Sequence, residues 1–220
     1  MFKSIKGGEV MDVQGLACWV PPVGYVYNVF TKKLEKREII KRSDSPANQY
    51  WEREPIPEWY EKRIKYVQKM RKDDPTFFDP RCKEYEDIHW DRRLNGCWFM
   101  NKGKAVYLTG LHWMFIQWWK IDIGYPKFRF PDLEYFYFLQ YCLEDPQCLG
   151  MIEVTKRRFG KTFRAGLFAY EYTSRTEEAQ SGIQSKTNTD AKKFFSKAVI
   201  KPFKALPAFF RPEYDMAQGI

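Results

Sequence analysis

The residues of this 220-residue chain that are best suited to chemistry lie in one short segment, 155–162. The segment ends in Gly160-Lys161-Thr162, which matches the end of the phosphate-binding pattern G-x-x-x-x-G-K-[ST], with Thr155 in the place of the first glycine. In such a loop the glycine lets the backbone close around a phosphate, the lysine reaches the β- and γ-phosphates, and the hydroxyl ligates Mg²⁺. The segment therefore predicts a site for ATP and Mg²⁺.

The elements on either side of this segment would have to present backbone amides to an anion. A β-prone run at 150–154 precedes the loop, and a helical pattern at 161–172 follows it. A helix that begins at Lys161 directs unpaired N–H groups and a partial positive charge towards the loop. The other interpretation is that Gly160-Lys161-Thr162 is only a basic surface turn at the start of a helix.

The same order of elements continues along the chain. A second β-prone run at 182–185 precedes a helix at 190–206, in which Pro202 predicts a break or kink. Strand, loop, helix, strand and helix in this order are typical of a parallel sheet with right-handed crossovers. We therefore predict an α/β fold, a P-loop NTPase parallel sheet that is incomplete at its C-terminal side, over residues 126–220.

Residues 1–125 are predicted to form an N-terminal α+β extension. Two β-prone runs around a glycine-containing turn predict a β-hairpin at 97–109, and the apolar run 111–119 predicts a buried helix. Helical patterns are also present at 58–72 and 131–143. The aromatic residues of 111–119 are interpreted as core residues rather than as a surface that stacks on bases.

Composition limits the class of protein. The chain is 44% hydrophobic and 18% aromatic, which excludes global disorder, and it has no apolar stretch long enough to span a membrane. Five cysteines, an odd number, suit a reducing cytosol better than a disulfide framework, so we expect a soluble intracellular protein.

The positive charge is concentrated towards the end of the chain. The formal net charge is +9, and two thirds of this excess lies in the last 70 residues, which favours phosphate-bearing partners. The predicted helix 190–206 carries five of these basic residues. These five are Lys192, Lys193, Lys197, Lys201 and Lys204. The helix could face DNA or a neighbouring subunit; the alternative is that these lysines only form a solvent-exposed face.

The missing first glycine resembles a feature of one family, the large terminase subunits that package DNA in tailed phages. Residues 153–162 are similar to the Walker A variant of that family, which lacks this glycine and has a basic residue before Gly-Lys-[ST]. Residues 183–191 resemble the family's second strand and following helix, and 206–212 resemble the stretch that closes this helix. The hairpin resembles that of terminases from crAss-like gut phages.

The resemblance implies roles for individual residues. Arg157 would be the arginine finger that swings towards the γ-phosphate, although Lys156 and Arg158 are alternatives. Thr162 would bind Mg²⁺, and Phe130, Pro131 and Asp132 would lie beside the adenine. The implied nucleotide-binding set is Thr155, Lys156, Arg157, Arg158, Phe159, Gly160, Lys161 and Thr162.

The resemblance also implies a biological setting. A terminase is an ATPase and endonuclease that forms a homo-oligomeric ring in the host cytoplasm. It docks on the portal protein of a procapsid, works with a small terminase subunit, and drives double-stranded DNA inside without contacting a membrane. Because no Walker B run or nuclease domain follows residue 185, we expect an N-terminal fragment that binds ATP but does not hydrolyse it alone.

Two other functions fit the same residues. One is a fragment of another helicase-like P-loop ATPase. The other is a non-catalytic DNA-binding or capsid-adaptor protein in which Gly160-Lys161-Thr162 only starts a helix.

Overall fold

The structure of the chain is a computed structural model. It describes the backbone of residues 9–13, 16–20, 25–28, 33–36, 39–40, 51–101, 104–155 and 159–211. Side chains are described for 51–101, 105–155 and 159–211.

The N-terminal part contributes short strands. Strand β1 (Glu9–Val13) pairs antiparallel with β2 (Leu16–Val20), and β3 (Tyr25–Asn28) pairs antiparallel with β4 (Lys33–Lys36). A two-residue strand, β5 (Ile39–Ile40), lies parallel to the first strand of the hairpin described next.

The predicted hairpin is confirmed. Strands β6 (Cys97–Asn101) and β7 (Lys104–Leu108) are antiparallel, with Cys97 opposite Leu108. Gly96 connects the preceding helix to β6, and its φ of 72° places it in the left-handed region. A Cβ at Gly96 would lie 2.1 Å from the Leu108 carbonyl oxygen, so only glycine fits this approach.

Helices form most of the remaining described structure, and side chains next to their first residues determine where some of them begin. Helix α2 (Pro80–Asn95) begins where the Asp79 carboxylate accepts hydrogen bonds from the Arg81 and Cys82 amides. Helix α3 (Gly110–Gln117) begins where the Thr109 hydroxyl accepts a hydrogen bond from the His112 amide. The helices are α1 (Glu58–Met70), α2 (Pro80–Asn95), α3 (Gly110–Gln117), α4 (Phe130–Glu144), α5 (Lys161–Arg175), α6 (Asn188–Phe195) and α7 (Lys201–Ala205), with a π-helical turn at Ser196–Ile200 and a 3₁₀ turn at Ala208–Phe210.

Helix α3 is the centre of the core, as its apolar sequence predicted. Every residue of α3 is buried, and the core cluster around it includes residues from Trp51 to Phe210. His112 lies within this cluster, stacked between Phe128 and Phe136 at 5.6 and 4.9 Å between ring centroids. Burial lowers the pKa of His112 to about 3, so its imidazole is neutral near pH 7.

The prediction of a parallel P-loop sheet is wrong. Neither 150–154 nor 182–185 is a strand, and the described residues form a mostly helical structure with an antiparallel hairpin. A β-prone run becomes a strand only when neighbouring strands accept its hydrogen bonds and cover its side chains. Here Leu149, Ile152 and Val154 are each at least 90% exposed, so that cover is missing among the described residues.

The predicted break at Pro202 takes the form of the π-helical turn. Proline lacks the N–H that would bond the carbonyl four residues earlier, which belongs to Ala198, and its ring also clashes with that carbonyl in a regular helix. The wider turn accommodates the ring. The Ala198 carbonyl oxygen faces Gly166 of α5, where an added Cβ would lie only 2.2 Å from it.

We expect Gly166→Ala to lower the free energy of unfolding by about 1–3 kcal/mol, because α5 would have to move away from the π-helical turn. Urea unfolding followed by circular dichroism measures this change. Helix propensity alone predicts the opposite sign, a gain of about 1 kcal/mol. A stabilised variant would therefore contradict the close approach of Gly166 to Ala198.

Within the described residues, no helix combines the length and the apolar character needed to cross a bilayer.

Candidate functional site

The predicted phosphate loop ends at Gly160, where the backbone turns into α5. Gly160 is the residue before the first helical residue and has φ 95° and ψ 0°, a left-handed conformation that other residues rarely adopt. Its carbonyl accepts the amide of Phe163 at 3.1 Å, which closes the first helical turn. No side chain of the described residues caps this helix start, and its first turn has no acidic residue. The start of α5 is therefore electrostatically suited to an anion.

Lys161 and Thr162 occupy the first two positions of α5. The Lys161 side chain is exposed and makes no ion pair with the described residues, and Thr162 is half-buried. Side chains in the first turn of a helix lean towards its N-terminus, so both can reach an anion held there. The predicted residues Lys156, Arg157 and Arg158 lie outside the described residues.

A network of arginines and carboxylates lies directly beneath the loop. Arg164, on the inner face of α5, is 1% exposed and donates to Asp132 at 3.3 Å and to Glu153. Asp132 also accepts two hydrogen bonds from Arg129, from Nε and Nη2, each 2.7 Å long. This bidentate geometry is the strong form of a carboxylate–guanidinium pair.

Arg129 extends this network to the loop backbone. Its Nη2 donates to the Phe159 carbonyl oxygen at 3.2 Å and lies 3.2 Å from where a Cβ on Gly160 would be. The guanidinium is 43% exposed, in contrast with the buried Asp132 carboxylate. Arg129 thus joins the buried network to the residues immediately before Lys161.

A small cavity lies between the loop and α4. It has a volume of about 50 Å³ and is lined by Thr155, Phe159, Arg164 and Tyr135, among others. This volume holds a few water molecules but not a nucleotide. The buried Thr155 hydroxyl oxygen and the Arg164 Nε have no hydrogen-bond partner among the described residues, so water is the natural partner for both.

Of the residues predicted to lie beside the adenine, Phe130 and Asp132 differ in their surroundings. The Asp132 side chain is fully buried, and its oxygens already hold two arginines. Phe130 is 55% exposed, and its ring packs edge-on against Phe128 at 5.4 Å between centroids.

The described residues around Thr162 would supply few ligands for Mg²⁺. Glu153 and Asp132, the carboxylates of the network below the loop, both accept from arginines. A metal beside Thr162 would therefore take most of its oxygens from phosphate and water, which is usual for Mg²⁺. Elsewhere, no group of three or more His, Cys, Asp and Glu side chains in the described ranges could hold a metal ion.

Sequence reasoning missed Arg129, Glu153 and Arg164 as members of this site. A signal was present for Arg164, since it precedes the buried Leu167 and Glu171 by three and seven residues and so shares their inward face. Arg129 stands three residues before Asp132 at a helix start, a spacing that favours an ion pair. Sequence did not indicate that α4 and α5 bring these residues together.

The opposite end of α5 holds a second buried ion pair beside an open cleft of about 240 Å³. Arg93 Nε donates to both oxygens of Glu171 at 3.0 and 3.1 Å, and Arg93 Nη2 donates to the Ser174 hydroxyl at 2.6 Å. Arg175 lies 3.5 Å from the same carboxylate. Burial raises the pKa of Glu171, and the two arginines oppose that shift.

Comparison of the chain with protein-family models, with curated proteins and with solved structures finds no match in any of the three.

Proposed function

We propose that this chain binds ATP with Mg²⁺ at residues 155–162 and is the N-terminal ATPase part of a large terminase subunit. In the complete motor it would help to drive double-stranded DNA into a procapsid. The observation that carries the proposal is the left-handed Gly160 at the uncapped start of α5, next to Lys161 and Thr162. A bound triphosphate at that position would meet the helix amides and the Lys161 ammonium together.

The charge distribution supports a phosphate ligand. No acidic residue lies in the first turn of α5, and both network carboxylates, Asp132 and Glu153, are paired with arginines. A triphosphate would therefore meet Lys161 and the exposed edge of Arg129 without a free carboxylate to repel it. The ring partners, the portal protein, the small subunit and the host cytoplasm belong to the same proposal and come from the motif resemblance.

The same geometry favours binding without turnover. Hydrolysis requires a carboxylate that activates water, and a second carboxylate usually orders Mg²⁺. Glu153 and Asp132 hold arginines and are unsuited to either task. We therefore propose that this chain by itself binds ATP and leaves it intact.

A second candidate is a non-catalytic DNA-binding or capsid-adaptor protein. The observation that favours it is the absence of strand structure at 150–154, just before the loop, together with the small 50 Å³ cavity. In that case Gly160 would serve only to start α5.

We expect Lys161→Ala to weaken binding of Mg²⁺-ATP by about 10- to 100-fold, since a charge-assisted hydrogen bond contributes about 1.5–3 kcal/mol. Isothermal titration calorimetry with the purified chain measures this. Lys69→Ala, which removes an exposed lysine from α1, is the matched control and should bind ATP normally. If the unchanged chain binds no ATP, the adaptor function is favoured instead.

A further inference from the structure

The exposed surface of the helical segment 188–205 is rich in lysine. We call it the lysine face; it consists of Lys192, Lys193, Lys197, Lys201 and Lys204, all exposed. The sequence has no Asp or Glu from residue 191 to residue 211. Lys197 pairs with Asp122, and the other four lysines make no ion pair with the described residues.

Tertiary packing holds this face outward. Ala198, Pro202, Phe203 and Leu206 are buried on the opposite side, and Ala198 is locked against Gly166 of α5. Ala198 is the buried residue of the π-helical turn at Ser196–Ile200, and Pro202 and Phe203 are the buried residues of α7. Rotation of this segment would therefore break the buried contacts of the π-helical turn and α7.

The chemistry of the face suits an extended row of phosphates. Lysine ammonium groups act as point charges, and four of them lie along a segment about 16 Å long from Lys193 to Lys204. The fifth, Lys192, immediately precedes this segment. Duplex DNA carries about one negative charge per 1.7 Å, so this length of duplex presents roughly nine phosphate charges. Contacts of this kind bind the backbone without reading base sequence.

We propose that the lysine face docks on the phosphate backbone of double-stranded DNA. The choice of DNA as partner rests on the proposed function, whereas the location and the charge come from α6 and α7 themselves. Binding there would be independent of sequence and strongly dependent on salt, because each ammonium–phosphate contact releases a counterion.

The test compares two double variants of the purified chain. Lys193→Gln/Lys201→Gln removes two charges from the lysine face, and Lys65→Gln/Lys69→Gln removes two exposed charges from α1. Binding to a labelled DNA duplex is followed by fluorescence anisotropy over a series of salt concentrations. We expect the first variant to bind at least about tenfold more weakly, with a log–log salt slope smaller by about 1.8. The α1 variant should match the unchanged chain.

Four outcomes would overturn the proposal. The first is failure of the unchanged chain to bind duplex DNA, and the second is an equal loss of DNA affinity in both double variants. The third is competition by polyglutamate that is as effective as competition by unlabelled duplex DNA, and the fourth is tighter binding to duplex RNA than to duplex DNA. Glutamine replaces lysine in these variants because it is a good helix former. If Lys193→Gln/Lys201→Gln does not fold, Lys192→Gln/Lys204→Gln is used in its place. Titration of the same samples with Mg²⁺-ATP separates a failure of this inference from a failure of the nucleotide site.

Discussion

Arg93→Met is expected to lower the free energy of unfolding by about 3–5 kcal/mol, because it leaves the Glu171 carboxylate buried without its main partner. Glu171 is 3% exposed, and the Arg93 guanidinium is 1% exposed. Methionine preserves much of the side-chain volume but not the two hydrogen bonds to the carboxylate or the stacking of the guanidinium over Trp90. Urea unfolding at neutral pH measures the loss.

The double variant Arg93→Met/Glu171→Gln is the control for this explanation. It removes the stranded charge, so most of the lost stability should return. If the double variant is as unstable as Arg93→Met, then lost packing rather than uncompensated charge is responsible.

The Arg93→Met variant should also depend on pH in a defined direction. Removal of the arginine takes away a cause that lowers the pKa of Glu171, so this pKa, already raised by burial, rises further above its ordinary value of 4.5. The folded state then binds a proton more readily than the unfolded chain. The loss in free energy of unfolding caused by the unpaired carboxylate is therefore absent below about pH 4.5. It grows by up to about 1.4 kcal/mol per pH unit as the pH rises from there towards the pKa of Glu171 in the folded state.

Asp132→Asn is expected to have the second large effect, a loss of about 3 kcal/mol of stability together with weaker ATP binding. The carboxylate accepts from Arg129 and Arg164, and an asparagine amide would instead direct N–H donors at one of these guanidinium groups. Among the described residues, Arg164 would then keep Glu153 as its charged partner. Release of Arg129 would also remove its hydrogen bond to the Phe159 carbonyl, and we expect this loss to disturb the residues before Lys161.

Chemical unfolding and ATP titration on the same Asp132→Asn sample measure both effects. The matched control is Asp87→Asn, which breaks an exposed ion pair with Lys83 on α2 and should cost no more than about 1 kcal/mol. Normal ATP affinity in a folded Asp132→Asn sample would show that the buried network does not position the loop. A loss of stability no larger than that of Asp87→Asn would contradict its structural role.

Local signals account for the parts of the fold that sequence predicted correctly. The hairpin at 97–109 follows from two β-prone runs around a tight turn, and the start of α5 at Lys161 follows from the preceding glycine. Each of these signals lies within a few residues of the structure that it determines. The same holds for the buried helix at Gly110–Gln117, which the run of apolar residues predicted.

Sequence misled where a structure depends on distant partners. Residues 150–154 have the β-propensity of a strand, yet propensity describes how side chains fit a sheet and does not supply the neighbouring strands. The prediction of a parallel sheet was therefore wrong, even though the flanking helices α4 and α5 were predicted close to their observed bounds.

By itself, the sequence determined helices α1, α3, α4 and α5, the hairpin, the Gly160-Lys161-Thr162 motif and the basic character of residues 191–211, whereas helix α2 (Pro80–Asn95) was not predicted. Only the tertiary structure decided that Arg164 meets Asp132, 32 residues away, and that Arg93 meets Glu171, 78 residues away. The reason is physical. A helix or a tight turn is stabilised by contacts between near neighbours in the chain, whereas a buried ion pair forms only when packing of the whole core removes both partners from water.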